Sequence, residues 1–421
     1  MCTGSNPVCP NRCCLGCNVK TQHNACQEAL QGEHNNNVTM TNVSEQRLMA
    51  KELLSEFQIT SLENLPFRRL TNDYEKEVPL DLLCQSLHVS NRAGTNARLL
   101  MGKGQSSYYL HTNETIMAEI EAVLKIGIEK VFLQIIASDE NLSTAEKIDD
   151  CRKVIEKVRG TFGNDLVIMT DPQGVCFRED LRWGVSTNEK EIDAERTLDV
   201  LIHTASSFAD AGINAFITIG RVNHEVKAVR EAYNRLYPGV DVYSFSTNSE
   251  TSNAYIQETK YDPGLALTGQ KILVGNKHEM ILRALIDVAE GTQMMLQKPI
   301  ESFHLVEYIR CLIEEEIALE SFLSKPVVKR LIEDNNLAGD LFVDTSSLLS
   351  NLKKVKLGAY EVSGTYMIYK MLEENPSVSE KLIFSLLDEM YKGFCSAAGN
   401  SLGLLVGRNM SWYARLAKEY K

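Results

Sequence analysis

Lys298 is the residue whose neighbours best suit it to act as a nucleophile. It closes the run Glu290-Gly291-Thr292-Gln293-Met294-Met295-Leu296-Gln297-Lys298-Pro299. That run reads as a helix end, a glycine stop, a short apolar strand and a lysine fixed against a proline. At the end of a buried parallel strand an ammonium group is partly stripped of water. Its pKa then falls, and the neutral amine is a nucleophile toward ketones. On these residues alone, a solvated lysine at a strand edge is the ordinary alternative. A second chemical group is the thiols Cys9, Cys13, Cys14 and Cys17, close enough to share a metal ion. The spacing of Cys9, Cys14 and Cys17 is similar to part of an iron–sulfur run without a fourth ligand in register. The alternative there is a flexible thiol-rich tail, lipidated or oxidised. His88, His111, His203, His224, His278 and His304 show no paired metal spacing, and no glycine-rich phosphate loop occurs.

The elements that must position Lys298 follow a regular alternation from residue 80 onward. Apolar runs predict strands at Leu80–Val89, Lys130–Ile136, Asp165–Asp171, Ala215–Gly220, Val242–Thr247, Thr292–Lys298, Leu357–Val362 and Phe394–Gly399. Amphipathic stretches between them predict helices such as Thr115–Ile126, Ala145–Gly160, Glu195–Ala211, His224–Leu236 and Met280–Glu290. Strands alternating with helices in this number predict an α/β fold, a parallel (β/α)8 TIM barrel. Lys298 then ends strand six, at the face where such barrels do their chemistry. Residues 1–45, poor in large apolar side chains and carrying Asn35-Asn36-Asn37, read as a disordered Cys/Asn-rich tail. Residues 46–79 read as an N-terminal arm with a helix at Leu48–Phe57, and 80–421 as the barrel. The stretch 311–354 exceeds one connection and reads as an insertion between strands six and seven, with a helix at Val327–Asn335 and a turn at Thr345-Ser346-Ser347.

Composition narrows the function classes. Of 421 residues, 44% are hydrophobic and 24% charged, which is ordinary for a globular chain. A net charge of −12 without a basic block argues against nucleic acid as a partner. No apolar run nears membrane-spanning length, and no basic-then-apolar leader opens the chain, so a cytoplasmic protein is expected.

With the strands placed, the chain resembles the porphobilinogen synthase (5-aminolevulinate dehydratase) family over roughly residues 65–410. Glu290 through Pro299 is similar to the family's Glu-Gly-Ala-Asp-Met-Val-Met-Val-Lys-Pro strand. Tyr360-Glu361-Val362-Ser363-Gly364-Thr365-Tyr366 is similar to its Tyr-Asn-Val-Ser-Gly-Glu-Tyr turn. Asp165–Asp171 and Thr197–Gly212 follow the strand and helix before its acidic loop, and Phe67-Arg68-Arg69-Leu70 is similar to its Arg-Arg-Leu-Arg arm segment. The resemblance implies a lyase that condenses two 5-aminolevulinate molecules into a pyrrole on the way to tetrapyrroles and heme. It implies two lysines that form Schiff bases, a zinc or magnesium ion, a closing lid and a homo-oligomer built through the arm. Lys298 matches the first lysine. Ser363 matches a serine that hydrogen-bonds a substrate carboxylate, with Tyr360 beside it in the same turn.

The departures are as informative. Asn248, in Ser244-Phe245-Ser246-Thr247-Asn248-Ser249, stands where the resemblance implies the second lysine, and an amide nitrogen forms no imine; Lys260 is the nearest replacement in sequence. Gln173, Val175 and Trp183 fall at the implied metal-ligand positions, with Cys176 displaced, so no zinc or magnesium is expected in the barrel. The acidic loop reads Ile217 to Glu225, with Arg221 the candidate anion contact and Glu225 in the arginine's place. The lid reads Thr268-Gly269-Gln270-Lys271-Ile272-Leu273, where Lys271 can supply charge. Glu361 is expected to bring a carboxylate into a carboxylate-binding pocket, and Gly399-Asn400-Ser401 to replace the last strand's substrate-seating tyrosine. The expected function is therefore a diverged synthase-like protein without normal synthase activity, acting as a scaffold or as a partner in a homo- or hetero-assembly. The alternative is a lyase or aldol-type enzyme that uses Lys298 as a Schiff base on a small keto acid, including residual synthase activity.

Overall fold

The structure is a computed structural model, and it describes residues 77–101, 107–139, 141–175, 184–185, 192–220, 222–250, 272–273, 275–334 and 345–420. The cysteine tail, the arm up to residue 76, Cys176, Trp183, Arg221, Lys260 and Lys271 lie outside the described residues.

Eight parallel strands close into a ring: β1 (Leu83–Ser90), β2 (Lys130–Ile136), β3 (Val167–Thr170), β4 (Ala215–Thr218), β5 (Asp241–Ser244), β6 (Met294–Gln297), β7 (Lys356–Tyr360) and β8 (Leu402–Gly407). Each pairs with the next in sequence, and β8 returns to β1 through Leu83↔Leu405, Cys84↔Val406 and Gln85↔Gly407. The fold is the (β/α)8 barrel the alternation predicts. β4 and β6 are buried along their whole length, as parallel strands covered on both faces must be.

Helices α1 (Thr115–Ile126), α2 (Thr144–Phe162), α3 (Ala194–Asp210), α4 (Glu225–Leu236), α5 (Lys277–Ala289) and α6 (Phe303–Glu314) follow the first six strands around the outside. Then come α7 (Glu316–Leu323), α8 (Pro326–Asp334), α9 (Thr345–Leu352), α10 (Ser363–Glu373), α11 (Glu380–Ala398) and α12 (Met410–Tyr420). α7, α8 and α9 occupy the long span between β6 and β7, and α8 and α9 pack on α5. None of the described helices is long and apolar enough to cross a membrane.

Two apolar layers hold the ring. The larger lies between strands and helices and includes Leu133, Ile168, Phe216, Val242 and Leu405. The smaller fills the barrel interior with Phe132, Met169, Ile217, Phe245, Leu296, Tyr360 and Val406. Gly358 on β7 is needed there, because a Cβ would stand 2.6 Å from Leu296 Cδ2 and 2.8 Å from the Leu404 carbonyl oxygen. Beyond β1, a short antiparallel pair, Arg98–Met101 with Tyr108–His111, attaches through His88↔Leu110 and sets Tyr108 beside β1.

Two expectations are corrected. Phe394–Gly399 is not a strand: residues through Ala398 end α11, where Leu387, Tyr391, Phe394, Cys395 and Ala398 form one buried helical stripe. Spacing of three and four residues, not the local apolar run, decided that segment, and Gly399 at φ 55° ends the helix. The last strand is Leu402–Gly407. Thr345-Ser346-Ser347 is not a turn but the start of α9.

Candidate active site

Lys298 directly follows β6, with a cis bond to Pro299. Its backbone N–H donates to the Thr247 carbonyl at 2.9 Å, and Asn248 and Lys298 form a parallel bridge where β5 and β6 run out. Both residues are buried, Asn248 completely. The lysine Nζ lies 3.6 Å from the centroid of the Phe245 ring and 5.6 Å from that of Tyr360. Phe132, Phe245 and Tyr360 pack edge to face, with centroids 5.4 to 5.9 Å apart. Phe245 follows β5 and Tyr360 ends β7, so these two rings face the amine, while Phe132 from within β2 packs against both.

The electrostatics follow from that burial. Desolvation drives the Lys298 pKa well below the ordinary lysine value, and the Arg408 guanidinium pushes it the same way, while the Asp171 carboxylate works against both. Asp171, next after β3, is buried too, and desolvation raises its pKa against the opposing pull of the Gln173 N–H and Lys298. Its Oδ1 accepts the Gln173 N–H at 3.0 Å. Burial thus weakens the charged form of both partners, a state suited to passing protons.

A polar chain continues from these rings. The Tyr360 hydroxyl and Ser86 Oγ both donate to Gln134 Oε1 at 3.1 Å. The Tyr108 hydroxyl donates to the Ser86 carbonyl at 3.1 Å and lies 3.0 Å from His88 Nδ1. Desolvation, with Arg408 and His111 nearby, pushes the His88 pKa well down and keeps that ring neutral. Ser363 is the first residue of α10, buried three residues past Tyr360. Gln297 pairs with Ala359, so Lys298 and Ser363 belong to the ends of neighbouring strands.

The sequence-derived expectations divide clearly. Lys298, Asn248 and Tyr360 come together, and Ser363 lies on the adjoining helix start; Arg221 and Lys271 lie outside the described residues. Glu361 does not enter the pocket as a free carboxylate. Its Oε2 accepts the backbone N–H groups of Arg408 and Asn409 at 2.9 Å, and its Oε1 accepts the Asn409 side-chain amide at 2.7 Å. Glu225 is likewise absorbed locally, accepting the N–H groups of Ile219, Gly220 and Val222 at 2.9 Å. A buried carboxylate beside strand-end N–H groups satisfies them before any ligand arrives. Gly399-Asn400-Ser401 is also reassigned: it forms the turn before β8, at the far end from Lys298. At the near end stand Gly407 and Arg408.

Arg408, Asp171, Phe245 and the Ser86–Gln134–Tyr108 chain were not picked out from the sequence as site residues. The signal for Arg408 was present in Leu404-Leu405-Val406-Gly407-Arg408, an apolar run ending in a cation. Of the positions at which the resemblance implies metal ligands, Gln173 and Val175 are among the described residues and Trp183 is not. Val175 is packed in the apolar core, Gly174 presses on the Ile135 carbonyl, and Gln173 offers no anionic or thiolate donor. Among the described residues no three His, Cys, Asp or Glu side chains are grouped to hold a metal ion.

The described residues thus form a parallel eight-stranded barrel with a buried, desolvated lysine at the end of its sixth strand. The model of the delta-aminolevulinic acid dehydratase family matches residues 66–314. The chain belongs to that family, as a diverged member. It is 25% identical to the delta-aminolevulinic acid dehydratase of Archaeoglobus fulgidus over 291 residues, 66% of this chain and 76% of that protein. It is 22% identical to that of Streptomyces coelicolor over 198 residues, 45% of this chain and 60% of that protein. The fold is similar to the crystal structure of the Toxoplasma gondii enzyme in complex with porphobilinogen, with a TM-score of 0.62 and 17% identity, covering 85% of this chain and 92% of that one. At that identity the likeness speaks for the fold alone.

Proposed function

We propose that this chain holds a small keto acid on a single lysine and does not condense two 5-aminolevulinate molecules into porphobilinogen. The observation that carries this reading is the buried Lys298 amine, 3.6 Å from the Phe245 ring, on a strand end whose backbone bridges to that of Asn248. The neutral Lys298 amine adds to the keto carbon, forming the C–N bond while the carbonyl oxygen takes up a proton. The carbinolamine then loses that oxygen as water, leaving the imine. Asp171, its pKa raised by burial, is suited to give the proton to the departing hydroxyl and to take one from nitrogen. Asn248 cannot form a second imine, so the two-lysine condensation lacks a partner. Losing one member of such a unit costs orders of magnitude in rate. The reaction asks for no zinc or magnesium at this site.

A second reading is a non-catalytic scaffold or assembly partner in a homo- or hetero-oligomer, favoured by the exposed apolar side chains Ile368, Met371 and Leu382 on α10 and α11; assembly through the arm is what the resemblance implies. One experiment separates the two. The full chain is incubated with a keto acid and borohydride, and the adduct is mapped by mass spectrometry. The imine reading expects a reduced adduct on Lys298 that is absent in Lys298→Ala. A clean negative leaves the scaffold reading. In parallel, 5-aminolevulinate with and without added zinc or magnesium is expected to give no pyrrole. Pyrrole that disappears in Lys298→Ala would overturn the proposal.

A further inference from the structure

We propose that Asp287 is a proton-operated latch on the turn that joins β4 to α4: protonated, it keeps Ser246 and the turn resting on it closed; ionised, it faces two other carboxylates and the turn loosens. The latch works whether or not Lys298 forms an imine. A cavity of about 30 Å³, roomy enough for a water molecule, lies beside the ends of β4 and β5, lined by residues that include Gly220, His224, Glu225, Ser246 and Asp287. Ser244 ends β5. Its Oγ meets Asp287 Oδ2 from α5 and lies 3.0 Å from Ser246 Oγ, and it accepts the Ser246 N–H at 3.1 Å. One hydroxyl hydrogen cannot serve both Asp287 and Ser246. With Asp287 ionised, Ser244 donates to the carboxylate and Ser246 donates to Ser244. With Asp287 protonated, the acid donates to Ser244, and Ser244 donates to Ser246. Uptake of one proton therefore reverses the chain and turns the Ser246 hydrogen toward the cavity.

The turn leans on Ser246. Gly220 has φ 73°, and a Cβ there would stand 2.7 Å from Ser246 Oγ and 3.0 Å from its Cα. Glu225 gathers the N–H groups of Ile219, Gly220 and Val222 from the other side. His224, at φ 67° the one non-glycine residue of positive φ among the described residues, has its Nδ1 2.7 Å from Glu290 Oε1. A side chain held in that backbone conformation is strained, so the closed turn needs its anchors. Phe245, between the two serines, carries the ring 3.6 Å from Lys298 Nζ, which joins the latch to the barrel mouth.

The surrounding charge sets the direction of the response. Around Asp287 stand His224 and Glu225 at the start of α4, Arg283 on α5 and Glu290 just after it; Arg283 is paired with Glu279 at 2.9 Å. The charged residues of α6 and α8, which also pack on α5, are exposed, apart from Arg310, which is bound to Glu314 and the Ala397 carbonyl; α9 carries none. Burial, then the Glu290 and Glu225 carboxylates, push the Asp287 pKa up to about 7 against the pull of the two serine hydroxyls. An opened turn admits water, and the acid returns toward the ordinary carboxyl range. The closed form thus holds the proton more tightly. Closure is fully favoured below the ordinary carboxyl range and is lost progressively as pH rises to about 7.

The test is hydrogen–deuterium exchange on the full chain between pH 5 and pH 8, with each rate divided by the intrinsic rate at that pH. The readout is protection in peptides that contain the Ile219, Gly220, Val222 and Phe245 amides. Wild type is expected to lose roughly tenfold or more in protection between pH 5 and pH 7 and to level off above. Asp287→Asn, which keeps the shape and cannot ionise, is expected to show a flat profile, and thermal unfolding confirms that it is folded. A flat profile in wild type, or the same loss in folded Asp287→Asn, overturns the proposal. If Asp287→Asn does not fold, Glu290→Gln takes its place. Removing that like charge is expected to move the levelling-off to lower pH, and an unmoved profile overturns the proposal.

Discussion

A lysine amine 3.6 Å above a phenylalanine ring is pulled two ways. The ring face favours the ammonium by about 2 kcal/mol, whereas stripping water from a buried charge costs several. Burial therefore wins, and the neutral amine gains. The rate of imine trapping is expected to rise with pH around a midpoint well below the ordinary lysine value of about 10.4. Removing the Asp171 charge in Asp171→Asn takes away a group that favours the ammonium, so the midpoint moves down. Arg408→Met removes a repelling cation, so it moves up. A pH–rate series on the two variants checks the signs, and shifts in the same direction would contradict this account. Lys298 was legible because a glycine stop, an apolar run and a proline bracket it in sequence. Asn248 was legible once its strand was placed. Arg408 was not, because the apolar run Phe394–Gly399, which closes α11, competes in sequence with Leu402–Gly407 for the last strand.

At the scale of elements, the junction of β7, β8 and α12 explains why an added acid can be tolerated beside the site. Arg408 and Asn409 precede α12, and their N–H groups point at the Glu361 carboxylate, which suits the positive end of a helix. Glu361→Ala leaves these buried donors without their acceptor and is expected to lower stability by about 2–4 kcal/mol in denaturant unfolding. Gly407→Ala places a Cβ 2.6 Å from Glu361 Oε2 and 2.6 Å from Met410 Cε, and about 1–3 kcal/mol is expected to be lost there.

The pH dependence of that junction carries a sign. Burial lifts the Glu361 pKa to about 7, so the folded chain holds its proton more tightly than the unfolded one. The stability linked to that proton is fully present below the ordinary carboxyl range and is lost as pH rises through about 7. Compared with Glu361→Gln, the wild type is expected to weaken between about pH 5 and pH 8, and parallel unfolding curves would show the idea wrong. Most strand and helix positions were readable, since periods of two and 3.6 residues differ plainly over such lengths. The destinations of Glu361 and Glu225 were not readable. Which backbone donors lie within reach of a carboxylate depends on how the strand ends converge, and no spacing along the chain encodes that.

For the molecule as a whole, the stability of the barrel resides in the layers on either side of the strands, so residues at the strand ends can change without loss of the fold. The pairing of Leu83 with Leu405 has a further consequence for how the protein is made. A ribosome releases the first staves of the ring long before the last one exists. Until β8 emerges, β1 and β7 remain two open edges, ready to pair with other chains. A chain cut after Ser401 is expected to form aggregates and to show no trappable lysine, and sedimentation beside the full-length protein checks this. The Lys298 amine and the Arg408 guanidinium, which share the Tyr360 ring, are thus made more than a hundred residues apart. The two groups meet only after β8 has emerged, so a chain released before that point is expected to lack their pairing.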